Sequence, residues 1–257
     1  MQRARHHQTE TQIAQCSQCC NPTTLHINPV AVRHEIEATL QRMHNQVNSV
    51  LNANATDESL SFNFDLRVDS IAGPIMEVAT TTPMNCGMEH AMRLLGTKIH
   101  VKGPSDVASP RCVPEPRRCG GDLHEQQFTV ELGAPYRTVL LHGFGSTRKI
   151  DGNNCRLILW AAISFDRCGA LCFRECTWFA VHRSQSNPAH DCVVRSHYSV
   201  AVEKAVGCTM IDGERIDHVR DRALQSMGTK IKERYLAMQR GILVATGRGD
   251  LVAFVGM

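Results

Sequence analysis

Between residues 127 and 202 five runs, QFTVEL, RTVLLHGF, RLILWAAISF, TWFAVH and HYSVAV, follow one another with short turn-like stretches between them. They are rich in β-branched and aromatic residues and read as strands. A chain that gives this much of its length to consecutive strands must build a sheet and bury at least one face of it. The apolar fraction is 42% and the aromatic fraction only 5% of the 257 residues, so the core has to come from patterned aliphatic runs.

Upstream the period changes. NPVAVRHEIEATLQRMHNQVNSVLN reads as a helix, with Asn28 as cap, Pro29 in the first turn, and Val32, Ile36, Leu40, Met43, Val47 and Val50 on one stripe. LSFNFDLRV follows as a strand with Leu60, Phe62, Phe64, Leu66 and Val68 on one face. NCGMEHAMRLLG reads as a short helix with Met88, Ala91, Met92 and Leu95 inward and Gly96 at its end. Residues 102–121 are rich in Pro, Gly and charge and read as a linker. Ile216, Val219, Ala223, Met227 and Ile231 predict a late helix weakened by Gly228, and LVAFV a last strand. The sum is an α+β chain, helices early and strands late.

A net charge of +3 gives no basic face for nucleic acid. No run reaches the roughly 18 apolar residues of a membrane span, so no membrane partner is expected. MQRARHHQTETQ is polar, unlike an export signal. The expectation is an intracellular protein, cytoplasmic or nuclear, with free thiols.

Three residues carry the chemistry expected here. Cys86 sits just before a helical pattern, where a helix N-terminus favours thiolate. His197 opens a strand, and Asp212 precedes Gly213, so a hairpin could set the carboxylate against the imidazole and fix its tautomer. The bland readings are a small buried cysteine, a surface histidine and a turn aspartate.

The order Cys, His, Asp is that of papain-type peptidases. TTPMNCGMEHAMRLL resembles the cysteine box of the ubiquitin-specific proteases, SHYSVAV their Gly-His-Tyr box, and MIDGERIDHV the stretch supplying the third triad member. WFAVHRS, YRTVLLHGFGSTRKI and ERYLAMQR resemble further strands of that family, in its order. MNC and HY…MIDG are also similar to the nidoviral papain-like proteases. The resemblance covers roughly residues 75–240. It implies a papain-like fold with an N-terminal helical subdomain and a C-terminal antiparallel sheet subdomain. The division expected is a flexible segment 1–27 and a catalytic domain 28–257, with a helical part about 28–101, linker 102–121 and sheet part 122–257. It further implies a thiol-dependent hydrolase cleaving peptide or isopeptide bonds. Cys86 would be nucleophile, His197 base and Asp212 orienter, with ubiquitin or a ubiquitin-like protein as substrate and no cofactor required.

Two departures keep other readings open. Gly87 replaces the aromatic residue that follows the nucleophile, and Thr81 stands where an oxyanion donor is kept. The alternatives are an inactive ubiquitin- or protein-binding module on the same scaffold, and a zinc-stabilised interaction protein. For the latter, Cys168, Cys172 and Cys176 recur four apart, and Cys112 and Cys119, too widely spaced for a knuckle, could join Cys168 and Cys172 around a structural zinc. Cys16, Cys19, Cys20 and His26 are a weaker set. LLHGFGST resembles the oxyanion loop of α/β-hydrolases, but no Gly-x-Ser-x-Gly elbow follows it.

Overall fold

The computed structural model describes residues 28–53, 58–69, 73–100, 117–118, 123–134, 137–152, 154–166, 169–204 and 213–256. Helix α1 (Pro29–Ala53) begins where the Asn28 Oδ1 accepts the Val30 and Ala31 backbone N–H groups at 3.1 and 3.3 Å. That cap satisfies two donors that the first turn leaves without helical partners. Val32, Ile36, Leu40, Met43 and Val47 are all buried along one stripe.

Two long strands follow, β1 (Ser61–Asp69) and β2 (Gly73–Met84), joined antiparallel from Ser61 opposite Thr81 to Asp69 opposite Gly73. After β2 comes α2 (Met88–His100). The rest of the sheet is β3 (Arg117–Arg118), β4 (Leu123–Ala134), β5 (Arg137–Asp151), β6 (Cys155–Asp166), β7 (Leu171–Arg183) and β8 (Cys192–Lys204). Helix α3 (Gly213–Ala245) and a 3₁₀ segment, Gly249–Phe254, close the described chain.

All eight strands form one sheet in the order β1-β2-β8-β7-β6-β5-β4-β3, every neighbouring pair antiparallel. From β4 onward the chain meanders back until β8 lies against β2, with Met84 opposite Cys192 and Ile75 opposite Ala201.

Strand alternation then sorts the side chains between two faces. On one, Met76, Val78, Leu141, Phe173, Val194 and Val200 pack under α3 and α2. Phe128 and Trp160 fit there because Gly143 and Gly145 present no side chains. A Cβ at Gly145 would lie 2.3 Å from the Trp160 ring. On the other face Leu157, Leu159, Ala161, Ile163 and Ala180 pack under α1.

Helix α3 buries Ala223, Leu224, Met227, Ile231, Tyr235 and Ile242. Gly228 lies against β2, where a Cβ would meet Met76 Sδ at 3.0 Å. The fully buried Gln239 donates through Nε2 to the carbonyl oxygens of Ser61 and Thr81, at 3.0 and 3.1 Å, pinning α3 to β1 and β2. The helix ends on Gly247, at φ 73°, with the Arg248 N–H returning to the Leu243 carbonyl oxygen at 2.8 Å. That left-handed closure is one glycine adopts without strain.

This architecture corrects the papain-like expectation. The strands on either side of 102–121 share one sheet, and β2, expected within a helical subdomain, is flanked in it by β1 and β8. ERYLAMQR, expected to be a strand, is the interior of α3, and of the expected last strand LVAFV the residues 251–254 belong to the 3₁₀ segment. An apolar stripe at helical spacing runs through Ile231, Tyr235 and Ile242, and it decides the local conformation there.

Candidate functional site

Cys86 follows the end of β2 and packs, half-buried, on the α2–α3 side of the sheet against Cys192. Burial raises its thiol above the ordinary range, the contact with Cys192 opposing and Asp191 reinforcing that shift. A nucleophilic cysteine needs the opposite. Asn85 beside it accepts from Arg248 Nη1 at 3.1 Å.

His197 lies five residues beyond Cys192 on β8, roughly 16 Å along the strand. Its side chain is on the α1 face, so the sheet stands between it and Cys86. The structure does not bring the two together. Asp212 lies outside the described residues, as do Cys16, Cys19, Cys20, His26, Cys112, Cys119 and Cys168. Cys172 and Cys176 both face α1 on β7 but stand four residues apart, roughly 13 Å. Among the described residues, no group of three or more His, Cys, Asp or Glu side chains is placed to hold a metal ion.

What surrounds His197 is a groove of about 1000 Å³ between α1 and the β2–β8–β7 part of the sheet. Its floor is set by register. Across β2, β8 and β7 the α1 face presents Ile75–Ala201–Arg174, then Glu77–Ser199–Cys176, then Ala79–His197–Trp178. Helix α1 packs chiefly over β5, β6 and β7, and His197, Ser199 and Ala201 of β8 stay partly exposed beside it. Ala79, Ser199 and Ala201 are too small to fill the space that remains.

The Trp178 and His197 rings stack at 5.8 Å between centroids and 17° between planes. Burial lowers the His197 pKa, opposed by the charge of Glu77, so the imidazole is neutral at pH 7. Cys176 is pushed up to about 11 by burial, against a smaller opposing pull from Arg42. One end is closed by Arg174, which pairs with Glu35 of α1 and with Glu203 of β8. The wall contributed by α1 is polar, with Thr39, Arg42 and Gln46.

The opposite face holds a buried polar cluster that the sequence did not advertise. Glu175, 4% exposed, accepts from the Tyr198 hydroxyl at 3.1 Å. Burial raises its carboxyl to about 7, while the Tyr198 hydrogen bond and the charge of Arg234 pull it down. Tyr235 stacks on Phe179 beside it, and burial raises its phenol above the ordinary range.

No protein-family model matches the chain, and no curated protein sequence matches it. Solved structures do show likeness. Human STARD10 matches at 9% identity over 73% of this chain and 77% of its own, with a TM-score of 0.38. A conserved protein from Geobacillus kaustophilus matches at 11% identity over 66% and 96%, TM-score 0.30. An uncharacterised protein from Rhizobium leguminosarum matches at 8% over 60% and 94%, TM-score 0.29.

At such scores none of these lends this chain a function. The resemblance to ubiquitin-specific and nidoviral proteases is overturned by the single sheet. With it go the hydrolase, thiol protease, ubiquitin and deubiquitinase readings drawn from that family.

Proposed function

We propose that the chain is a binding protein for a small ring-bearing, partly apolar organic molecule held in the groove between α1 and the sheet. The observation that carries this reading is the Trp178–His197 stack, bordered by Ala79, Ser199 and Ala201. A neutral aromatic shelf beside unfilled space suits a flat ligand, which gains by stacking and by burial together. The volume is within the range of small-molecule sites, and the polar wall of α1 would orient substituents.

The test uses 1-anilinonaphthalene-8-sulfonate as probe and a Trp160→Phe chain in which Trp178 is the sole tryptophan. Saturable one-to-one quenching of Trp178 is expected, and Ala79→Phe, which fills the shelf without adding a second indole, should abolish it. Probe binding that survives Ala79→Phe, or no saturable quenching at all, overturns the proposal.

A further inference from the structure

The two edges of the sheet differ. One is β3, a pair of arginines, and the other is β1, nine residues long. Among the described residues, no strand pairs with the outer edge of β1. Leu66 and Val68 on that strand are 56% and 82% exposed, beyond the cover of α3, and Phe64 is 37% exposed. A long edge strand carrying exposed apolar side chains is a template for strand addition.

Its other face is charged in a self-complementary way. Asp65 lies directly opposite Glu77 of β2, a like-charge cross-strand pair, and the Arg67 guanidinium reaches diagonally to Glu77 at 3.2 Å. Like charges placed opposite one another destabilise a sheet. Asp65 therefore sits beside a negative neighbour on its inner side and, among the described residues, faces no strand on its outer side.

We propose that the chain pairs with a second copy of itself through β1, antiparallel across a two-fold axis at Leu66. In that register the partner's Arg67 stands opposite Asp65, and the reciprocal pair forms at the same time. Leu66 meets its own counterpart, and Phe64 meets the partner's Val68. Sliding the register by one step in either direction sets Asp65 against the partner's Asp65, or Arg67 against the partner's Arg67. The charges select one alignment out of three, and the apolar face is continuous in that alignment.

Sedimentation velocity on the full chain tests this. The wild-type chain is expected to be dimeric at tens of micromolar. Asp65→Arg and Arg67→Asp should each weaken the dimer by at least about tenfold, because each converts two attractive pairs into repulsive ones. An equal mixture of the two variants should recover a dimer. The Asp65→Arg chain is basic at both positions, the Arg67→Asp chain is acidic at both, and the two strands then face each other with opposite charge. Circular dichroism checks that each variant is folded. If Arg67→Asp does not fold, Leu66→Lys, which touches neither charge, must dissociate the dimer by itself. A monomeric wild type overturns the proposal, as does a dimer indifferent to these substitutions or a mixture that does not associate.

Discussion

The two faces of the sheet are built from the same strands and finished differently. Under α3 every step of the floor is filled: rings occupy the space over Gly143 and Gly145, Met76 reaches Gly228, and Gln239 hydrogen-bonds the strand backbone. Under α1 the packing lies chiefly over β5, β6 and β7, and small residues leave a groove over β8 and β2. The closed face holds α3 in one position. The half-covered face leaves aromatic surface facing a space it does not fill. Close packing and open space are thus divided between the faces of one layer.

The largest expected break in that contrast is chemical. Glu175 belongs to the closed face, and its folded-state pKa of about 7 lies above the ordinary 4.5. A raised carboxylate pKa means the folded state holds the proton that the unfolded state releases between those values. The stabilisation is complete below about 4.5 and is lost as pH rises through about 7. The swing is of order 3 kcal/mol. Glu175→Gln should flatten this dependence, measured by urea unfolding between those pH values. An unchanged slope in the variant would refute the assignment.

Next comes steric tolerance. Gly145→Val should cost about 2 kcal/mol, because the added atoms meet the Trp160 ring. Ala79→Val on the groove face should stay within about 0.5 kcal/mol. Equal costs at the two sites would erase the distinction between the faces. The smallest effect sharpens the role of α1 as the groove wall. Asn28→Ala removes the acceptor for the Val30 and Ala31 N–H groups and should cost about 1 kcal/mol in thermal unfolding. Asn28→Asp should recover most of that loss.

Local pattern made much of the scaffold readable. The stripe of α1, the alternation of β1 and the runs that became β5 to β8 follow directly from side-chain period. Strand β2 was hidden because GPIMEVATTTPM contains two prolines, which read as breaks. Pro83 stands opposite Val193 of β8 but lies past Thr81, the last residue of β2 with a partner on β1, so the strand is paired there on one side alone. Gly228 read as a weakness in the late helix, and its lack of a side chain is what lets α3 approach β2.

The groove was less legible. His197 stood out in the sequence, but its neighbour Trp178 was assigned only to a strand, and nothing local indicates that the two become directly opposite. Register across distant strands is a tertiary property. The motif resemblance failed for the same reason. It preserved the order of Cys86 and His197 along the chain, but a single sheet set them on opposite faces.

The union of β2 with β8 joins residues 73–84 to residues 192–204. During synthesis, the edge of β2 that β8 will occupy has no native partner until most of the chain has been made. Contacts so distant in sequence slow folding, and unpaired strand edges are where nascent chains associate wrongly. The step that completes the groove floor is therefore also the late step in assembly. A chain truncated before residue 192 carries Trp178 but lacks the strand that pairs Ala79 with His197, so the groove has no floor.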